Sequence, residues 1–203
     1  MKNLFLFTAL IFVFIQGQGQ CLALELKIDI ENINELSKKE IESLNYLREE
    51  EFLAGDVYDY LAEIYSLPVF NNIGRSEDVH TEKVRELLEA YDIVDPAENH
   101  KAGIYKNKKL QEHYDALIAL GEKSLHDAII EGLTIEEMDI KDLQEALDNV
   151  IQEENIRKVY DFLLMGSHNH LKAFNFHANN LAVNYSPQFL SPKEFKIALE
   201  KEK

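Results

Sequence analysis

Glu77 and His80 stand three residues apart in the stretch Glu77-Asp78-Val79-His80. On a helix, a carboxylate and an imidazole at this spacing project from one side, because each residue turns the chain by about 100°. Such a pair can be two surface groups near a helix start. Facing a core, it is different: an ionised Glu there is costly unless a metal or a partner charge meets it. The phase of the surrounding helix, and what the other helices bring, decides between the two.

Helical phase can be followed residue by residue. Around the pair, the apolar stripe is Phe70, Ile73, Val84, Leu87, Leu88 and Tyr91. Glu77 and His80 fall within it, whereas Glu82, Glu86 and Glu89 lie on the opposite face. In the preceding helix the stripe is Leu44, Leu47, Ala54, Tyr58, Leu61, Ala62 and Tyr65. Glu51 lies on it, Glu50 at its edge, and Glu49, Asp59 and Glu63 face away. Ala54 and Gly55 leave room beside Glu51 for something to bind. Tyr58 is expected to pack, with electron donation as the other role open to it. A third stripe, Leu110, Tyr114, Leu117, Gly121, Leu125 and Ala128, carries no centred acid.

A short fourth helix compensates. Its stripe runs through Ile140, Leu143, Ala146, Leu147 and Val150, and both Glu136 and Asp139 lie on it. Glu137, three residues after Thr134, reads as the capping-box partner of that threonine. The last helix has Ile156, Val159, Leu163 and Phe174, with Ser167, His170 and His177 between them and His168 facing away. A lone inward His is ordinarily a core residue. Here Glu51, Glu77, His80, Glu136, Asp139 and His170 come from four helices and all point inward, and Arg48 is the main inward cation. Acids at close range cannot all stay ionised without cations. Carboxylates with imidazoles suit hard or borderline divalent metals. A buried polar network or a solvated bundle end is the alternative.

The elements that must position these groups are legible from caps and breaks. Ser37-Lys38-Lys39-Glu40 is a capping box opening a helix over 38–65. Pro68 suits the first turn of a second helix that runs to about Tyr91. Residues 92–106, with Asp95-Pro96 and Gly103, read as a loop. Asn107 caps a third helix expected to end near Gly132, and Thr134 opens the short fourth helix to about Asn149. The last long helix is expected over 152–179, and Ser191-Pro192-Lys193-Glu194 caps a small terminal one. The fold class is therefore all-α, a four-helix bundle with an extra short helix between the third and last long helices. It divides into a signal peptide (1–23), a leader (24–36), the bundle (37–180) and a C-terminal tail with a short helix (181–203).

Composition agrees. Trp is absent, and Gly (8) and Pro (4) are scarce, which favours long helices over a turn-rich β fold. A net charge of −16 excludes a nucleic-acid binder, since nothing would neutralise phosphates. Lys2 followed by the apolar run Leu4–Ile15 has the form of a signal peptide and is too short for an ordinary membrane span. Cleavage sites are open after Gly19, Cys21 or Ala23; a lipoprotein site at Cys21 is poor because Gln18 stands where an aliphatic residue belongs. Export to the periplasm or beyond is expected, with membrane contact only through that segment or through an uncleaved anchor. One Cys allows no internal disulfide. No Gly-x-Ser-x-Gly or phosphate loop points to nucleophilic chemistry.

Several ordered motifs resemble the prokaryotic ferritin-like group catalogued as domain of unknown function 2202. They are Glu50-Glu51-x-x-Ala54-x-Asp56-Val57-Tyr58, Leu67-Pro68-Val69-Phe70 and Arg75-Ser76-Glu77-x-x-His80, then Ile135-Glu136-Glu137-x-Asp139-Ile140-x-Asp142-Leu143 and Ser167-x-Asn169-His170-Leu171-x-Ala173-Phe174. The resemblance covers about Ser37 to Ala178 and implies a ferritin-like bundle. That wider superfamily holds two metal ions with a Glu from each of two helices and Glu-x-x-His from each of the other two. Glu51 resembles the first-helix Glu, and Glu77 with His80 the second-helix pair. The third acid is displaced to Glu136, and Ser167 stands where the last helix should offer a second Glu, with Asp139 as a substitute. Glu50, Glu137 and Asp56 belong to the motifs without a clear inward phase and rank second, Glu50 and Glu137 as further candidate metal ligands. The resemblance itself implies no established reaction; two iron or manganese ions, or one, are expected at these residues, with redox activity toward oxygen, peroxide or ferrous iron as the first functional reading. A non-catalytic extracytoplasmic metal-binding module, or a structural bundle with a vestigial site, is the alternative. A homodimer is compatible with either.

Overall fold

The computed structural model describes residues 28–29 and 34–201. The expected signal peptide, its cleavage sites and most of the leader lie outside the described residues. The described chain is all-helical: α1 (Lys38–Ile64), α2 (Pro68–Ala90), α3 (Lys108–Gly121), α4 (Leu125–Asn149), α5 (Glu154–Asn180) and α6 (Pro192–Glu200). None of these helices is long and apolar enough to cross a membrane.

Four long helices form two pairs, α1 on α2 and α4 on α5, and α2 packs on α5 to bring the pairs together. Each pair is a tight hairpin, because residues 65–67 and 150–153 leave no room for anything but an antiparallel return. The short α3 bridges the pairs, touching α1 and α4. α6 lies against α5.

The helix starts follow the cap chemistry. Ser37 and Glu40 form the expected capping box of α1, and Ser191 with Glu194 that of α6. Pro68 stands at the start of α2 and Asn107 caps α3. One boundary differs from expectation. The chain breaks at residues 122–124, where Ser124 accepts from the Asp127 amide and opens a 25-residue α4. Thr134 is inside that helix, and its hydroxyl donates to the Ile130 carbonyl (2.9 Å). The short helix is accordingly α3, and α4 is one of the four long ones. Gly132, which resembles a helix stop, serves packing instead: a Cβ there would lie 2.5 Å from the Phe174 ring.

The core is one cluster that includes Leu44, Leu61, Leu87, Leu133, Leu163 and Phe174, all fully buried. Burying such a side chain contributes roughly 1.5–3 kcal/mol each. Tyr58, Phe70 and Phe174 form an aromatic group with centroids 5.2 and 5.8 Å apart. Residues 92–106 are tied down by polar contacts. Asp56 accepts from His100 Nε2 (2.8 Å), the Gly103 amide (2.8 Å) and the Tyr105 hydroxyl. Glu49 accepts from the amides of Lys106 and Asn107, both at 2.8 Å.

Candidate metal centre

The inward phase of each helix delivers its polar residues to one place. Glu51 (α1), Glu77 and His80 (α2), Glu136 (α4) and His170 (α5) are all buried. Glu77 stands between the two helix pairs. Its Oε2 lies 2.7 Å from His80 Nδ1 and its Oε1 lies 2.8 Å from His170 Nδ1. His80 Nδ1 is also 3.2 Å from Glu51 Oε2, and His170 Nδ1 is 3.4 Å from Glu136 Oε2. The result is two triads, Glu51–Glu77–His80 and Glu77–Glu136–His170, each with ligand atoms within 4.8 Å of one another. Either triad can hold a metal ion, and Glu77 is common to both.

Neighbours fix the rings. Ser76 Oγ sits 2.9 Å from His170 Nε2, so an N–H there is satisfied and Nδ1 is left facing the carboxylates. α5 comes directly against His80 at Gly166, where a Cβ would fall 2.5 Å from His80 Nε2. The two imidazoles stack with centroids 5.3 Å apart and an interplanar angle of 25°.

Among the described residues, Glu51 Oε1, both oxygens of Glu77, Glu136 Oε2, Asp139 Oδ2 and His170 Nδ1 have no hydrogen-bond partner. The contacts of Glu77 with the two imidazoles are close, yet neither has the alignment of a hydrogen bond. Buried polar atoms are nearly always satisfied. Such a cluster of facing oxygens and nitrogens could hold a cation. Arg48 does not supply the charge. It pairs with Asp95 (2.9 Å), donates to the Thr81 carbonyl and stacks on Phe52, so it faces the 92–106 segment rather than Glu51.

Electrostatics carry the same conflict. Burial pushes Glu51 up to about 7; His80 opposes that and the Glu77 charge adds to it. Burial and the charges of Glu51, Glu50, Glu136 and Glu77 push Asp139 well above the carboxylate range. Glu77 is held below that range: burial works against it, but His170 and His80 outweigh burial. For His170, burial favours the neutral ring, yet Glu77 and Glu136 raise it to about 10. His80 is raised likewise by Glu77 and Glu51 against its burial. With no metal, protonated imidazoles therefore stand where cations would. His80 and His170 would each give up an Nδ1 proton in order to hold a metal ion.

The remaining expected residues divide. Asp139 is buried beside the triads. Glu50 is buried next to Asp142 and Tyr46, outside either triad. Glu137 is not a capping-box partner: its Oε2 accepts the amides of Gln188, Phe189 and Leu190 and so ties the C-terminal segment to α4. Ser167 bonds the Leu163 carbonyl of its own helix (3.1 Å) and offers nothing to the centre. Tyr58 does more than pack, since its hydroxyl donates to Glu136 Oε1 in a short 2.5 Å bond. Ser76 and Gly166 were not singled out from the sequence. Ser76 stands in the quoted motif beside Glu77, which was its visible signal, and a helical glycine in contact with a ring carries none.

Known proteins match most of the described chain. An uncharacterized protein of Methanocaldococcus jannaschii, MJ0754, is 43% identical over 161 residues, which is 79% of this chain and 86% of the relative. The crystal structure of a hypothetical protein of that name from Methanococcus jannaschii superposes with a TM-score of 0.81 at 40% identity, covering 84% of this chain and 97% of that one. Residues 40–202 match the uncharacterized protein domain DUF2202, a span that runs through α6. With the helices, the buried acids and this match together, the chain belongs to the DUF2202 family.

Proposed function

We propose that this protein is a ferritin-like, carboxylate-bridged metal-binding protein that holds two iron or manganese ions and is redox active toward oxygen, peroxide or ferrous iron. One observation carries the proposal: the two buried oxygens of Glu77 each face a different imidazole nitrogen, within 2.8 Å, without hydrogen bonding either. Glu77 would bridge, His80 and Glu51 would complete one ion's ligands, and His170 and Glu136 the other's, with Asp139 in reserve. The arrangement of four long helices with inward acids and histidines supports a ferritin-like assignment. Bound there, two redox-active ions supply paired one-electron couples.

The chain's own residues set the conditions for that chemistry. Ser76 orients His170, and the packing of Gly166 on His80 fixes the other ring. Tyr58 keeps Glu136 in place by donating to the oxygen that does not face His170. Complete burial of Glu51, Glu77 and Glu136 excludes bulk water and strengthens every charge interaction among them.

A second reading, metal binding without turnover, is favoured by Ser167, which removes the carboxylate a symmetric pair would have. Metal analysis of full-length protein from iron- and manganese-supplemented medium tests the shared claim. Two ions per chain are expected, and Glu77→Ala should lose both. Absence of stoichiometric metal in the wild type overturns the proposal. Aerobic addition of ferrous iron then separates the readings: repeated turnover supports redox activity, and stoichiometric binding alone supports the second.

A further inference from the structure

The buried acids do not stop at the triads. On α4 the acids recur every third residue, at Glu136, Asp139, Asp142 and Glu145. Each step rises about 4.5 Å and turns about 60° around the helix, so such a row spirals from one face to the other. Burial follows it: Glu136 and Asp139 are buried, Asp142 half-buried and Glu145 exposed. On α1 a second row answers it, with Glu51 and Glu50 buried, Tyr46 half-buried and Glu42 exposed. The outer members of both rows line a surface cleft of about 460 Å³ between α1 and α4, with Lys39 at its edge.

Glu50 is the residue this arrangement leaves unexplained. It is 2% exposed, and both carboxylate oxygens lack a hydrogen-bond partner among the described residues. Its neighbours are Asp142 and Tyr46, just inside the cleft, and Glu51 at the centre. Tyr46 cannot satisfy it, because the single hydroxyl proton goes to Asp142 Oδ2 (3.0 Å). Asp142 carries no donor when ionised, and among the described residues no Lys or Arg is paired with Glu50. An ionised acid in this position is costly unless something positive meets it.

We propose that Glu50 and Asp142, under the Tyr46 hydroxyl, form an outer divalent-cation station through which ions pass from the α1–α4 cleft to the metal centre. The proposal rests on the metal-centre reading and adds a third site and a direction of entry to it. A cation leaving water exchanges hydration oxygens for carboxylate oxygens one step at a time. The two rows supply such oxygens from the exposed to the fully buried level. Asp139 is fully buried and feels the charges of Glu50 as well as those of Glu51, Glu136 and Glu77.

Cobalt(II) alone is a suitable probe, added to metal-free full-length protein and followed by its visible absorption in stopped flow. Glu50→Gln and Asp142→Asn should each slow the approach to final absorption by about ten-fold or more, the lower range for focused charge on an entry rate. Glu82→Gln, on the outer face of α2 beside Arg85, controls for the general loss of one negative charge and should load at the wild-type rate. If wild type takes up cobalt and both station variants load as fast, the entry route is overturned while the centre stands. If wild type takes up none, the metal-centre reading fails, and the route with it. Thermal melts of both variants in metal-free buffer show that a slow rate is not a folding defect. Two variants on different helices keep the test decisive if one of them misfolds.

Discussion

Glu49 and Glu51 are two residues apart on α1, and Glu136 and Glu137 are adjacent on α4, yet within each pair the two carboxylates have opposite surroundings. Glu49 and Glu137 receive backbone amides, from residues 106–107 and 188–190 respectively. Glu40 belongs with them: one oxygen closes its own capping box, and the other takes the amides of Gln152 and Glu153 at the start of α5. These acids fasten chain segments to helices, and the N–H dipoles absorb their charge. Glu51 and Glu136 face other acids and imidazoles instead; each keeps one buried oxygen with no hydrogen-bond partner among the described residues, as Glu137 also does, but neither receives a backbone amide on its other oxygen. Burial of an acid therefore says little about its role. The nature of its neighbours separates a fastening from a site that needs a cation.

The largest effect that would sharpen this contrast is at Glu77. Replacing it by Ala removes the oxygen common to both triads, and metal content by elemental analysis should drop from two ions per chain to none. Glu49→Ala should cost about 2–4 kcal/mol, the range for losing two charge-assisted bonds to part-buried amides. Denaturant unfolding should return the same loss with and without metal. A loss that appears only with metal would move Glu49 to the other group and break the comparison.

Next comes pH. His170 is raised from 6.5 to about 10 by Glu77 and Glu136, against its burial. Its contribution to metal-free stability is fully present below the unfolded value near 6.5 and is lost as pH rises through about 10. The melting temperature of metal-free protein should accordingly fall between pH 7 and 10. Metal-loaded protein should resist that fall, because the ion has already replaced the proton. Over the same interval metal affinity should rise, since fewer protons must be displaced.

Packing gives a smaller effect. Gly132→Ala places a methyl against Phe174 and should destabilise by about 1–3 kcal/mol, seen as a shift in the unfolding midpoint. The smallest effect is expected from Glu51→Gln in metal-free buffer. Removing one of several facing acids there should change stability by less than about 1 kcal/mol, or raise it. The same variant with metal should be clearly less stable than the wild type. An equal cost in both conditions would place Glu51 with the fastenings.

Much of this was legible in the sequence because helical phase is a local property. A stripe defined by Phe70, Ile73, Val84 and Leu87 shows that Glu77 and His80 face inward without any knowledge of what they meet. The same held for Glu51, Glu136, Asp139 and His170, all of them buried. Caps at Ser37, Asn107 and Ser191 were equally local. Phase failed where a residue's role depended on a distant segment. Glu49 was read as facing away, yet it is buried under the 92–106 segment, whose route no periodicity encodes. Gly132 and Thr134 looked like a stop and a start. Only Phe174, some forty residues on, makes the glycine a packing residue and lets α4 run through.

The sequence by itself determined which faces of four helices are apolar and which acids and histidines interrupt them, because a 100° turn per residue leaves no freedom in that assignment. Only the tertiary structure decided how those residues are shared. Glu77 reaches two histidines because α2 packs on both α1 and α5. Glu50 is left without a donor because Tyr46 gives its one proton to Asp142. Those outcomes depend on distances between segments far apart in the chain, and no spacing along a single helix specifies them.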